Sequence, residues 1–343
     1  MLRFITQFFL VMFLLLFLVT PLMAESGQGF DTFTLYYEND FILGTDRDYT
    51  SGLKLTWSTP FTRDVTAAKW PSWAYPLINQ LPLVNDPDQQ RAISLSFGQD
   101  IYTPEDIESK ELIVDDRPYA GWTYFSVGVH GKNERRQHTW ELNVGILGPA
   151  SLAEKAQNLV HDLNGARDPQ GWDHQLENEI TFDAIFETQW KLRPHGSSQK
   201  FSYDFIPRLG GRVGTVNVYA NAGGEFRFGW ELPDNFGACP IRAGCVVNST
   251  FESEAGVAAK KIGILFFVAA DGRMVLRDIF LDGNTFRESH SVDKELFVAD
   301  LSTGVSVRYG MIVTTYSYVY RTRQFEDQDN DQAFSSFSIS WSF

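Results

Sequence analysis

Cysteine, basic charge and long apolar runs are all scarce in this chain, and each shortage excludes something. Only Cys239 and Cys245 occur in 343 residues, too few for a disulfide scaffold or a cysteine-rich metal site. Their spacing in a polar loop predicts one small disulfide in an exported protein. Lysine and arginine number 29 against 43 acids, a net charge of −14, so no basic surface is available for nucleic acid. An anionic lipid would likewise need local cations or a metal. Beyond the N-terminus no segment reaches the roughly 18 consecutive apolar residues of a membrane-crossing helix.

Familiar hydrolase signatures are missing too. The sequence has no Gly-x-Ser-x-Gly elbow, no His-Glu-x-x-His helix, no phosphate loop and no dinucleotide fingerprint, so a serine nucleophile is not indicated. What is present begins with Arg3, an apolar core from Phe4 to Val19 and a break at Thr20-Pro21-Leu22-Met23-Ala24. That pattern predicts a signal peptide over 1–24, with a retained anchor helix as the alternative, and leaves 25–343 as the mature domain.

The mature region alternates with a period of two. Segments at about 30–37, 52–58, 91–99, 120–130, 137–147, 178–192, 199–211, 218–230, 256–280, 294–308, 310–321 and 333–343 read as strands, many of them near the length of a tilted membrane strand. The final Phe337-Ser338-Ile339-Ser340-Trp341-Ser342-Phe343 alternates strictly and ends on an aromatic. It resembles the recognition strand of outer-membrane barrels, which would make the barrel-insertion machinery a partner during biogenesis. The expected fold is an all-β transmembrane antiparallel barrel of about twelve strands, with one short helix in an outer loop.

With both termini in the periplasm, parity places the connections after strands 1, 3 and 5 on the outer rim. The first holds Glu38, Asn39, Asp40, Asp46, Asp48 and Thr50, an oxygen-rich cluster of the kind a hard cation such as calcium prefers, or else a solvated acidic turn. The second holds Lys110, a candidate oxyanion or phosphate partner or a plain loop lysine. The third holds a helix over 148–165, with Ser151 as expected cap, Glu154 three residues on and Gly165 as its stop. Leu152, Ala156, Leu159, Val160 and Leu163 form its apolar face. Gln157 and His161 lie four apart, and His174 is a reserve candidate. The segment 60–90, with Trp70, Trp73 and Tyr75, falls on the periplasmic side, where its aromatics suit an interfacial belt.

Taken in order, Glu38-Asn39-Asp40 with Thr45 to Gly52, Gln99-Asp100-Ile101-Tyr102-Thr103-Pro104, Asp116-Arg117-Pro118-Tyr119-Ala120-Gly121-Trp122, Gly148-Pro149 through Gln157 to His161, and Pro169-Gln170-Gly171-Trp172 with Gln175 to Asn178 resemble the outer-membrane lipid A 3′-O-deacylases of Gram-negative bacteria. The resemblance implies hydrolysis of the 3′-linked acyloxyacyl ester of lipid A in the outer leaflet, with calcium as cofactor. It also implies His161 as general base, Asn39, Asp40 and Thr50 completing the site, Asn39 and Asp40 near the metal, and Lys110 at the oxyanion. The short connection from Asp40 to Asp46 and the long 60–90 segment depart from the family. Three other readings stay open: a calcium-dependent outer-membrane phospholipase, a passive porin, and a structural or adhesive barrel.

Overall fold

The computed structural model describes residues 29–39, 48–65, 74–86, 88–193, 200–237 and 262–343. Twelve strands close into one antiparallel barrel in which each strand pairs with its sequence neighbours and the first pairs with the last. They are β1 (Thr32–Asn39), β2 (Asp48–Ser58), β3 (Gln90–Thr103), β4 (Ala120–Lys132), β5 (Arg136–Leu147), β6 (Glu179–Trp190), β7 (Phe201–Gly214), β8 (Asn217–Trp230), β9 (Ile262–Asp278), β10 (Phe297–Tyr309), β11 (Ile312–Arg321) and β12 (Gln332–Ser342). Closure comes from Thr32 facing Ser342 and Asn39 facing Ser335. A closed sheet has no open edge, which is what a bilayer demands of strands.

Side chains alternate between two media. In β9, Ile262, Ile264, Phe266 and Val268 are exposed on the outside while Leu265, Phe267 and Ala269 are buried. The lumen takes the polar set. Lys54 approaches Glu141 at 3.6 Å, Arg208 approaches Asp271 at 3.6 Å, and Arg227 bonds Asp204 at 2.7 Å. Paired, these charges tolerate an enclosed interior that an unpaired charge would not. Each expected strand segment appears, and 256–280 is a single strand over Ile262–Asp278.

Parity holds as well. The β1–β2, β3–β4 and β5–β6 connections share the end opposite the termini, because Asp48 faces Thr103, Tyr102 faces Ala120 and Leu147 faces Glu179. The β8–β9 connection, which carries Cys239 and Cys245, leaves from the terminus end; both cysteines lie outside the described residues.

Among the described residues three α-helices join the strands: α1 (Ala74–Gln80), α2 (Ala153–Asn164) and α3 (Ile279–Asp282). Helix α1 belongs to the 60–90 segment, of which Trp70 and Trp73 lie outside the described residues. Its Ile78, with Val84, packs on Ile93 and Val129, and Tyr75 lies beside them. Ile93 and Val129 point outward, so this segment covers the outside of the wall at the terminus end. Trp140 fixes it there by donating its indole N–H to the Pro82 carbonyl at 3.0 Å.

Candidate functional site

Inward and outward faces of β1–β4 can be told apart by the lumenal chamber, which is lined by Glu38, Lys54, Asp100, Tyr102, Trp122 and Tyr124. Their neighbours Asn39, Gln99, Ile101, Thr103, Gly121 and Thr123 therefore face out. Helix α2 is seated on that outer surface. Ala153 packs with Ile101, Tyr119 and Trp172, and a methyl group on Gly121 would come within 2.1 Å of the Ala153 Cβ. The absent side chain of Gly121 is what lets the helix approach the wall so closely. Gln99 and Thr123 then bond the Ser151 carbonyl at 2.8 Å each.

The start of this helix differs from expectation. Ser151 ends a short 3-10 turn, Pro149–Ser151, and the residue at the cap position is Leu152, left-handed at φ 60° with no side-chain cap. Ser151 Oγ still accepts from the Ala153 N–H at 3.3 Å, so the hydroxyl works one residue ahead of the cap. Gly165 closes the helix as expected, at φ 69°.

An amphipathic helix ordinarily buries its apolar face. Here the buried residues are Ala153, Gln157 and His161, at intervals of four, and the leucines are exposed. The polar stripe is thus pressed between helix and wall. Trp172 donates its indole N–H to Gln157 Oε1 at 3.0 Å, which leaves the buried Gln157 Nε2 without a partner. His161 Nδ1 lies 2.5 Å from the Arg167 carbonyl oxygen. A carbonyl only accepts, so Nδ1 carries a proton, and in the neutral ring the lone pair is then on Nε2, the tautomer a general base needs.

Beside this helix, β2 carries a bulge. Tyr49 faces Tyr102 and Ser51 faces Ile101, which leaves Thr50 as the extra residue. Strict alternation would aim Thr50 into the lumen; the bulge re-aims it. Its hydroxyl bonds that of the outward Thr103 at 2.7 Å, and its carbonyl accepts from Asn39 Nδ2 at 3.0 Å. With the amide nitrogen so engaged, the buried Asn39 Oδ1 is left unpartnered.

Asn39, Thr50, Gln157 and His161 consequently share the outer surface of the barrel at one rim. Asp40 and Asp46 lie outside the described residues. The Lys110 side chain is exposed, and its carbonyl accepts from His174 Nε2 at 3.1 Å. Gln157, Trp172, Thr103 and Gly121 complete the site, and sequence reasoning gave none of them a role. The signals available were the spacing of Gln157 from His161 and the place of all four within the motifs that carry the family resemblance.

Among the described residues no group of three or more His, Cys, Asp or Glu side chains is placed to hold a metal. The unpartnered Asn39 oxygen is nonetheless the donor type a hard cation takes, so the residues present fit calcium as far as one ligand.

The family profile described as outer membrane protein LpxR matches residues 9–343. The chain belongs to the LpxR family of outer-membrane proteins. Among solved structures, LpxR from Salmonella typhimurium is similar at 17% identity and a TM-score of 0.72, over 91% of this chain and 100% of that one. At that identity the likeness establishes the shared barrel fold. More distant barrels include the β domain of the Bordetella autotransporter BrkA, at 9% identity and a TM-score of 0.44, over 92% of this chain and 100% of that one. The translocator domain of NalP from Neisseria meningitidis follows at 10% and 0.39, over 93% and 90%. A comparison with curated protein sequences finds no match. Family and fold together place the protein in the bacterial outer membrane.

Proposed function

We propose that this LpxR-family barrel is a lipid A 3′-O-deacylase that works on the outer surface of its wall, at the seam between α2 and the wall. The observation that carries the reading is the His161 ring, held by its Nδ1 on the Arg167 carbonyl beside a buried, unpartnered Gln157 N–H.

His161 Nε2 takes a proton from water as the water oxygen bonds to the acyl carbon. Gln157 Nε2 donates to the oxyanion; one such donor is typically worth about 3 to 4 kcal/mol. As the carbon–oxygen bond to the sugar breaks, the imidazolium returns its proton to the leaving oxygen. The products are a carboxylic acid and the freed 3′ hydroxyl. Calcium, when bound, supplies positive charge near the carbonyl oxygen. Asn39 through Oδ1, with Asp40, would hold it, and the Thr50 carbonyl keeps the Asn39 amide turned so that Oδ1 faces away from the wall's own hydrogen bonds. The exposed Lys110 better suits an anionic headgroup than a buried carbonyl.

Mass spectrometry of lipid A from cells expressing wild type, His161→Ala and Gln157→Leu tests this reading. The expected result is loss of the 3′ acyloxyacyl group with wild type only. Intact deacylation by His161→Ala refutes it, and release of acyl chains from glycerophospholipids alone moves the activity to the phospholipase class.

A further inference from the structure

Helix α2 exposes what a helix in water would hide. Leu152, Leu159 and Leu163 are 54%, 60% and 47% exposed, with Val160 beside them, while Glu154, Lys155 and Asp162 are exposed elsewhere on its circumference. At 100° per residue Leu159 and Leu163 fall about 40° apart, and Leu152 precedes them at the cap. The buried Ala153, Gln157 and His161 come next around the axis, and the charged residues occupy the remainder. So the helix has three faces: one on the wall, one apolar and one charged. Such a sequence on a soluble surface would mark an unfilled docking site.

Its position names the medium. α2 lies on the outside of a barrel in the outer membrane, directly above outward-facing Phe97 and Phe125, whose rings pack at 5.1 Å and of which Phe125 is 66% exposed. The wall beneath it is short. At the other end of β4, a side chain on Gly131 would meet Val84 at 3.1 Å, and Val129 is covered by Ile78 and Val84. From Gly121 under α2 to Val129 under that segment is eight residues, or about 27 Å of strand at about 3.4 Å each. Tilted by about 40°, the uncovered wall spans roughly 20 Å, short of the roughly 25 Å apolar band of outer-membrane barrels. The shortfall puts at least one of the two covering elements within the hydrocarbon boundary, and α2 is the one that carries a row of exposed leucines.

We propose that α2 is an in-plane interfacial helix whose Leu152, Leu159 and Leu163 face is immersed in the acyl chains of the outer leaflet. The seam between α2 and the wall, which holds Gln157 and His161, then borders the lipid layer. A bilayer-resident ester reaches it without leaving the membrane. The immersion follows from the barrel's location, whereas delivery of an ester to His161 rests on the deacylase reading.

Two measurements test the proposal separately. In the first, nitroxide labels on Leu159→Cys, Leu163→Cys, Glu154→Cys and Asp162→Cys in phospholipid vesicles containing lipopolysaccharide are challenged with oxygen and with a water-soluble nickel chelate, after subtraction of the signal from the unsubstituted chain. Oxygen is expected to dominate at 159 and 163 and nickel at 154 and 162. Nickel dominance at all four overturns the proposal, and so does protection from both agents at 159 and 163, which would mean a protein cover. In the second, Leu159→Asp/Leu163→Asp is expected to slow deacylation of bilayer-embedded lipid A at least about tenfold, about 1.4 kcal/mol, and to spare detergent-dispersed substrate. Equal rates in the bilayer overturn it. If the labels report lipid while His161→Ala still deacylates, the immersion stands and the deacylase reading falls.

Discussion

Gly121→Ala probes the site without touching any reacting group. The new methyl carbon would sit 2.1 Å from Ala153 Cβ and 2.4 Å from Ser151 Oγ. Two carbons rest at about 3.5 to 4.0 Å, so the helix must lift from the wall by roughly 1.5 Å or more, because both neighbours are short side chains close to the backbone. Overpacking of this kind costs about 1 to 3 kcal/mol. A shift of about 1 Å at a catalytic group lowers rate by about a hundredfold. The expected outcome is therefore a folded barrel with deacylation reduced on the order of a hundredfold, read by mass spectrometry of lipid A, with folding checked by heat-modifiable gel mobility. Gly272→Ala is the control, because its nearest neighbour, the Ala222 carbonyl oxygen, is 3.9 Å away. If Gly121→Ala deacylates at the wild-type rate, the seam between α2 and the wall is not where the chemistry occurs.

Trp172→Phe removes the donor to Gln157 Oε1 and strands a buried acceptor, at a cost of about 1 to 3 kcal/mol. Faster amide exchange along α2 and a drop in activity are expected together. Arg167→Ala should stay within about twofold of wild type, since the residue meets His161 through its backbone carbonyl and, among the described residues, its side chain forms an exposed 2.6 Å pair with Glu108, a kind worth about 0 to 1 kcal/mol. Burial pushes the Lys191 ammonium from 10.5 down to about 8, although Asp234 lies 2.6 Å away. Between those two values the unfolded chain holds a proton that the folded chain has released, so stability rises with pH across this window. Lys191→Met should flatten that rise, by up to about 3 kcal/mol, in thermal unfolding followed at pH 7.5, 9 and 10.5.

The strands were legible because each separates a polar lumen from lipid, and two such media impress a period of two on the sequence. Phe337 to Phe343 shows it without a break. Thr50 shows where that signal fails: a bulge shifts the phase by one residue, and in the run from Asp46 to Ser51 a single aromatic, Tyr49, is too little to mark the slip. The face of α2 was legible as a pattern, since Leu152, Leu159 and Leu163 share one side. Which side meets the wall was not, because periodicity says that two environments differ and not which is lipid. The seat at Gly121 depends on a partner more than thirty residues on, and no local propensity encodes that contact.

The lumen bears on the remaining reading, a passive channel. At the outer end Arg117, fully buried, donates to Gln324 Oε1 at 2.9 Å and stands 5.6 Å and 5.5 Å from the ring centres of Tyr102 and Phe325. Tyr102 in turn stacks on Phe280 of α3 at 4.0 Å. Below them lies a chamber of about 100 Å³, room for several waters. Its walls set Lys54 against Glu141 and Arg321 against Asp300, so an ion moving through would have to displace paired charges from one another. Among the described residues the lumen is thus occupied by paired side chains, as a barrel's core is. Wild-type protein in planar bilayers should show no unitary conductance steps, and Arg117→Ala/Phe280→Ala, which removes both faces of the Tyr102 stack, should admit them. Steady conductance by wild type would return the lumen to function and take from α2 its claim as the working surface.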